Sequence, residues 1–378
     1  MELQRIAVIG AGLAGLIAAR ELTNAGLSVD VFDKGRFSGG RLASRTRDID
    51  QFDYGAQYFT VKDKRFADAL EPWLEAGLVA PWPARIVDID GLAIQEHPSG
   101  HARYVGVPSM RSFIDALAEK LPSLQLSRRV SSVAHLTDSL LELGFEDGGS
   151  AGPYDLVILN MPPLQCEPFL SALNSPHTEL VRAVEMKPCW ALMLSFAEPL
   201  DVSFDAAFVS ASHSGPDCGS HSDGDAASCS VSASPAVCSW IARDSSKPGR
   251  PAGERWVVHG SAQWSQAHIE DDAAAIEAAL TDAFFKCLTL SAGSGGIHTS
   301  SAAAPGSVAA PPKVTFSKVH RWRYAIASNS LGQGVLIDEP NKIAICGDWL
   351  VQNRVEGAFL SGLICSAQLL ALRLVSAQ

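Results

Sequence analysis

Gly10, Gly12 and Gly15 stand at G-x-G-x-x-G spacing directly behind the apolar run "IAVIG", and Asp33 follows eighteen residues after Gly15. These residue types at this spacing suit nucleotide binding. The first glycine permits a tight turn out of a strand. The second lets backbone approach a pyrophosphate, and the third lets a helix pack on the strand. Ala11, Leu13 and Ala14 complete the loop and open the helix, whose N-terminal amides and positive dipole end suit phosphate. Asp33, with Lys34 beside it, ends a second apolar run, "SVDVFD", where a carboxylate can accept from ribose hydroxyls. An acid there favours an unphosphorylated ribose and leaves NAD and FAD both open. The next stretch, "SGGR" (38–41), narrows the choice. Gly40 allows another close approach and Arg41 supplies a cation. A second phosphate clamp suits the long, bent FAD and has no use in an NAD dehydrogenase.

The elements that must position these residues are legible in outline. "IAVIG" and "SVDVFD" read as buried strands, and "LAGLIAARELTNAG" as a helix with Leu13, Leu16, Ala19 and Leu22 on one face. Strand, helix and strand within 30 residues make a βαβ unit of a parallel sheet. "YDLVILNMPP" predicts another buried strand stopped at Pro162, and "SRRVSSVAHLTDSLLELGFEDG" a hairpin. "KIAICGDW" predicts a strand near the end of the chain, followed by a loop and a long helix from about Val355. Between them, "WALMLSFAEP", "CSWIAR" and "RWVVHGSAQW" are strand-like and "DDAAAIEAALTDAFFKCL" helical. The expected class is therefore α/β. A discontinuous Rossmann-like FAD-binding domain (1–61, 100–165 and 336–378) would hold an inserted α+β substrate domain (62–99 and 166–335) with a mostly antiparallel sheet. Two Ser/Ala/Gly-rich stretches, 210–235 and 291–312, are too polar to fund a core and read as surface insertions. Their histidines (His213, His221 and His298) lack metal-ligand spacing, so no metal is expected.

Composition sets outer bounds. A length of 378 residues suits two domains, and 47% hydrophobic with 19% charged residues is globular. A net charge of -11 argues against nucleic acid or an anionic membrane as partner. No C-x-x-C occurs among the eight cysteines, which predicts reduced thiols and a cytoplasmic setting, or an organelle after loss of a targeting segment. Cys218 and Cys229 fall in the first insertion. No apolar run is expected to reach the about 20 residues of a membrane span. Met1 to Arg5 lead straight into the first strand, so no cleavable leader is expected.

The pair "GAGLAGL" and "GGR" resembles the superfamily of flavin monooxygenases, amine oxidases and protoporphyrinogen oxidases. With "DYGAQYFT", "YVGVPSM", "NMPP", "WIARDSSKPGR", "WVVHGSAQW", "HRWRYA" and "CGDWLVQNRVEGAFLSG", the chain resembles the renalases, above all the bacterial ones. The resemblance spans all but the two insertions. It implies an FAD-binding domain of the amine oxidase type, with FAD held non-covalently. It implies oxidation of isomeric dihydro-NAD(P), the 2- and 6-hydride forms, to NAD(P)+, with O2 reduced to H2O2. By motif, Gly10, Gly12, Gly15, Asp33, Gly40 and Arg41 would hold the adenosine and pyrophosphate. Gly55, Ala56, Gln57 and Tyr58 would line the isoalloxazine, Val130 would meet the adenine through its backbone, and Gly347 and Asp348 would contact the phosphate–ribityl part. A helix starting at Val355, Glu356 and Gly357, with Ala358 and Gly362 small, would aim its amide end at the flavin N1/C2 edge, where the reduced ring is anionic.

Loss of hydride turns a dihydropyridine into an aromatic ring, so positioning suffices and no obligatory base is expected. His259, Trp322 and Arg243 are the candidates for positioning the substrate, with Trp240 behind them. Aromatics could stack on the pyridine, and Arg243 could attract a phosphate. Lys247 reads as a solvated loop residue. The expected partners are a dihydronicotinamide dinucleotide and O2; the oligomeric state is open. Two alternatives remain at this level. One is an amine oxidase or desaturase-like enzyme on the same fold. The other is a flavin-binding protein with little turnover, whose insertions serve interaction.

Overall fold

The computed structural model describes residues 3–47, 50–91, 93–98, 100–137, 140–210, 236–292 and 312–375. The chemistry-bearing loops hang from two sheets. The first is the predicted parallel sheet. Its strands run in the order Leu124–Gln125, Ser28–Phe32, Arg5–Ile9, Leu156–Leu159, Ile343–Ile345 and Leu336–Asp338. All neighbours are parallel except the last pair. Val8 lies between Val31 and Ile158 in register. Helices pack on one face, and strands Val130–Thr137, Leu140–Phe145 and Ser150–Tyr154 with helix Pro163–Ala172 pack on the other, which is why "IAVI" and "LVIL" are apolar without alternation.

The second sheet has seven strands. Its order is Val314–Ala327, Met186–Phe196, Glu254–Gly260, Cys238–Arg243, Ala206–Ser210, Ile86–Asp90 and Ala93–Glu96. Every pairing is antiparallel except that of Ala206–Ser210 with Ile86–Asp90. Helix Ala273–Ala292 covers one face, burying Ile276, Leu280 and Phe284 against Trp256 and its neighbours. Trp256 and Phe284 meet at 5.3 Å. The mixed α/β class with a Rossmann-like sheet and a mostly antiparallel second sheet is the expected one.

Several local readings change. Residues 62–82 were expected on the substrate side, yet helix Lys64–Glu75 packs with the Rossmann core. Phe66 stacks on Phe359 at 4.7 Å. Strand Val79–Pro81 pairs with Arg103–Gly106 across the expected boundary at residue 100. Of this segment, only residues from Ile86 onward join the seven-stranded sheet. The expected loop after the last strand contains a helical turn, Asp348–Val351. The expected hairpin gains a third strand, Ser150–Tyr154. The insertion residues from 211 to 235 and from 293 to 311, with Cys218, Cys229, His213, His221 and His298, lie outside the described residues.

The last helix, Val355–Val375, overturns the expectation that no apolar run is long enough to span a membrane. Val355–Leu374 has the length and composition, with mean hydropathy 1.6. Tertiary packing accounts for those residues. Phe359, Cys365 and Leu369 are buried in the Rossmann core. Gly362 lies so close to the first helix, Leu13–Asn24, that a Cβ there would stand 2.3 Å from the Ala14 carbonyl oxygen.

Candidate active site

A cleft of about 1370 Å³ runs from the glycine loop to the long strand Val314–Ala327. That exceeds the roughly 300–1,000 Å³ of ordinary small-molecule pockets, so it can hold a dinucleotide and a second molecule together.

At the nucleotide end the loop is shaped by what its glycines avoid. Gly10 has φ +112, and a Cβ on it would stand 2.0 Å from the Asn160 carbonyl oxygen. On Gly15 a Cβ would stand 2.3 Å from the Gly10 carbonyl oxygen, so the third glycine sets helix against strand as expected. Gly10, Gly12, Leu13 and Ala14 line the cleft; Ala11 and Gly15 stand behind it. Helix Leu13–Asn24 has no side-chain cap, which leaves its first amides for a ligand. Asp33 lines the cleft but is already engaged: its Oδ2 accepts from Ala11 N at 2.7 Å and its Oδ1 from Gly35 N at 2.6 Å. Its first structural job is therefore to pin the loop. Lys34 donates to Gln165 at 2.9 Å and, with Val130, borders the same end. Burial, and then the charge of Arg129, lower the Lys34 pKa.

Asn160 was missed as a site residue although "NMPP" stood out. It follows a fully buried apolar strand, and its Nδ2 donates to the Cys346 carbonyl at 3.1 Å. Its buried Oδ1 has no hydrogen-bond partner among the described residues. A polar residue closing an apolar strand beside the glycine loop was the available signal. Together the uncapped helix end, the glycine cradle and this orphaned acceptor fit a bound dinucleotide.

The middle of the cleft joins the two sheets. Gly40, Arg41, Gly55, Ala56, Tyr58, Gly347 and Asp348 line it. Arg41 is not a free cation. Its guanidinium grips both Asp348 oxygens and donates to the Ala325 carbonyl at 3.0 Å. A Cβ on Gly55 would stand 2.0 Å from the Arg41 carbonyl oxygen, so this loop also needs its glycine. Val355 and Ala358 line the cleft at the start of the last helix, whereas Glu356 and Gly357 do not. Glu356 is buried and accepts from Lys62 N at 2.6 Å and Asp63 N at 2.9 Å, tying the helix start to the neighbouring turn. Gly357 clears the Gln352 carbonyl, which a Cβ would meet at 2.1 Å.

The far end is aromatic. Trp322 stacks on Tyr54 at 5.4 Å and donates its Nε1 to the Tyr54 carbonyl at 2.9 Å. His320 edges both rings, at 4.8 Å from Tyr54 and 4.5 Å from Trp322. His259 lines the cleft, and its Nε2 has no hydrogen-bond partner among the described residues. Burial pushes the His259 pKa down to about 4; the Tyr54 backbone works against this and the charge of Lys247 with it. His259 is therefore neutral at physiological pH. Its folded pKa lies below the usual 6.5, so its contribution to stability is present above about pH 6.5 and is lost as pH falls toward 4. Urea midpoints should drop between pH 7 and pH 5, and His259→Gln should flatten that drop. An equal pH dependence in both proteins would refute this assignment.

The structure does not bring two sequence candidates into the cleft. Arg243 turns away: its Nη2 donates to the Val202 carbonyl at 3.1 Å, its Nε forms an ion pair with Glu254 at 3.2 Å, and its guanidinium lies over the Trp256 ring at 5.1 Å. Trp240 packs into the core against Phe208 at 4.6 Å and Tyr58 at 5.6 Å.

Lys247 is the clearest correction. It is not solvated: its side chain is fully buried, with Nζ 2.6 Å from Asp244, 3.2 Å from Asp53 and 3.2 Å from Gln57. Arg250, equally buried, bonds Asp53 and the Gly106 carbonyl. Asp53 also accepts from Ser44 Oγ at 2.6 Å and Met110 N at 2.9 Å. Gln57 stands behind the cleft, held by this cluster. Burial alone would raise the Asp53 pKa, but Lys247, Arg250 and the hydrogen bonds outweigh it and hold the carboxyl below its usual range. For Asp244 burial prevails, helped by the Asp53 charge, so its pKa rises.

Comparison with known proteins adds the following. Residues 8–71 match the NAD(P)-binding Rossmann-like domain family. A 58-residue stretch, 15% of the chain, is 47% identical to a 4,4'-diapolycopene oxygenase of Methylomonas sp. The match spans 12% of that relative's length. A crystal structure of a putative protoporphyrinogen oxidase from Exiguobacterium sp. 255-15 aligns over 99% of both chains with TM-score 0.69 at 11% identity, which shows a shared fold. The chain thus sets an NAD(P)-binding Rossmann-like unit within a fold that a putative protoporphyrinogen oxidase shares from end to end.

Proposed function

We propose that this chain is an FAD-dependent oxidase that converts an isomeric dihydronicotinamide dinucleotide to NAD(P)+ and reduces O2 to H2O2. One observation carries the reading. A single cleft joins a dinucleotide loop to an aromatic end whose histidine is neutral. Bound flavin would supply a two-electron acceptor that O2 can reoxidise. The substrate C–H bond breaks with its electron pair leaving as hydride, and the ring becomes an aromatic pyridinium. With one proton from solvent, the two electrons and that hydrogen reach O2 as H2O2. No proton leaves the substrate, so the residues need only orient it.

Gly10 to Gly15, Asp33, Lys34 and Val130 would hold the adenine half of the cofactor. Gly40, Gly347 and the Arg41–Asp348 pair would border its middle. Gly55, Ala56 and Tyr58, with the last helix from Val355 to Ala358, would border the ring. Trp322 and His259 would face the substrate. The small-molecule substrate and O2 are then the only partners the site requires.

The test is anaerobic. The yellow protein should bleach within seconds on mixing with 6-dihydroNAD, stay yellow with a monoamine, and regain colour in air. Bleaching by the amine alone would move the chain to the amine oxidases, and purified protein without flavin would end the reading.

A further inference from the structure

At the rim of the cleft one carboxylate sits between two guanidiniums. Arg323 holds Glu270 with Nη1 2.5 Å from Oε1 and Nη2 2.9 Å from Oε2, and Arg321 Nη1 adds a third bond to Oε2 at 2.9 Å. Both arginines line the cleft; Glu270 does not. They stand two residues apart on the strand Val314–Ala327 and share a face, while His320 and Trp322 take the other; the strand is the sheet's edge and all four residues line the cleft, so a dinucleotide lying across that edge can meet both faces. Arg321 is fixed further by a 2.7 Å bond to the Ile269 carbonyl and by lying 5.5 Å over the Trp190 ring. This is a preorganised pair of forked donors, the geometry that suits phosphate and carboxylate.

We infer that Arg321 and Arg323 form an anion seat for the substrate, and that a substrate phosphate displaces Glu270 from it. Three observations support this. The glycine loop and helix end that suit the cofactor's phosphates belong to the other sheet, so a cofactor bound there leaves this pair free for a second anion. The chain carries a net charge of -11, so a basic rim is not its general surface. Glu270 is 66% exposed and water screens its ion pairs, so its release costs little. Glu270 then acts as a stand-in anion that keeps the two arginines in place between turnovers. The inference rests on the proposed reaction for the identity of the anion, the pyrophosphate of a dihydronicotinamide dinucleotide. A cationic amine would gain nothing from such a rim.

The experiment uses FAD-loaded protein and two readouts. In anaerobic stopped flow, Arg321→Gln/Arg323→Gln should raise the Kd for 6-dihydroNAD by about tenfold or more. The limiting reduction rate should hold, as should reduction by 6-dihydronicotinamide riboside, which carries no phosphate. Glu270→Gln should act in the opposite sense, lowering the dinucleotide Kd a few-fold. In calorimetry with inorganic pyrophosphate, Glu270→Gln should bind more tightly than the parent and the double arginine variant should not bind. A merely structural role for the trio would weaken binding in both variants, so the opposite signs separate the two. The seat is overturned if Glu270→Gln weakens binding, or if the arginine variant treats dinucleotide and riboside alike. If no dihydronicotinamide reduces the parent protein, the proposed reaction fails and the pyrophosphate titration still decides the seat. Tighter binding by Glu270→Gln retains it for a phosphorylated molecule of another kind, and no binding by any protein removes it.

Discussion

Lys247→Met should cost this protein about 3–5 kcal/mol of folding stability. Lys247 is the only one of the cluster's two cations that bridges Asp53 and Asp244 at hydrogen-bonding distance, with Nζ 3.2 Å and 2.6 Å away. Without it two carboxylates share one buried guanidinium, since Arg250 reaches Asp244 only at 4.0 Å. All four side chains are 0% exposed, so no water can compensate. Removing one partner of a buried pair leaves an uncompensated charge, which is far more costly than removing both. Asp244→Asn with Lys247→Met keeps Asp53 paired to Arg250 and should recover more than half of the loss. Urea unfolding of the three proteins at pH 7.5 measures both numbers. A single-variant loss under about 1 kcal/mol would mean that water or a shifted proton relieves the site. The effect should also reach the cleft, because Asp53 and Gln57 bracket the loop that carries Tyr54, Gly55 and Ala56.

Gly10→Ala should abolish dinucleotide retention. Its backbone sits at φ +112, and the added Cβ would meet a main-chain oxygen at 2.0 Å, so strand or loop must move. Gly12→Ala is the informative partner. Its Cβ would come only within 3.0 Å of Asn160 Oδ1, a side-chain atom that can give way. The fold should therefore survive Gly12→Ala while cofactor occupancy falls by about tenfold or more, because a side chain at the second glycine keeps the backbone from a close approach to a pyrophosphate. Flavin absorbance per protein after desalting, read beside far-UV circular dichroism, checks this. Asn160→Ala in the Gly12→Ala background should leave occupancy low. Restored occupancy would show that Asn160, and not the ligand, is what the methyl group strikes.

The nucleotide half of this protein was legible from local signals alone. "IAVIGAGLAGL" and "SVDVF" declare strand, turn, helix and strand because apolar runs, a glycine triplet and an end-of-strand acid each act over a few residues. The last helix was equally visible from Val355, as were strands from "LVIL" to "WVVHG". The adjacent assignments failed where a residue's role depends on what lies beside it in space. Lys247 in "SSKPGR" reads as a loop cation, and nothing within reach along the sequence shows Asp53, 194 residues away, closing over it. Arg243 looked available for phosphate until Glu254 and the Val202 carbonyl took its guanidinium. Arg41 looked like a phosphate clamp, and Asp348, 307 residues away, shares it. The helix from Lys64 reads on sequence as part of the substrate domain, and Phe66 meeting Phe359 puts it against the Rossmann core instead. Sequence determined the elements, because propensity, turn chemistry and hydrophobic period are local. Tertiary structure decided which charges are buried, paired or free to meet a ligand, because Coulomb and desolvation energies depend on neighbours the chain brings together only when folded.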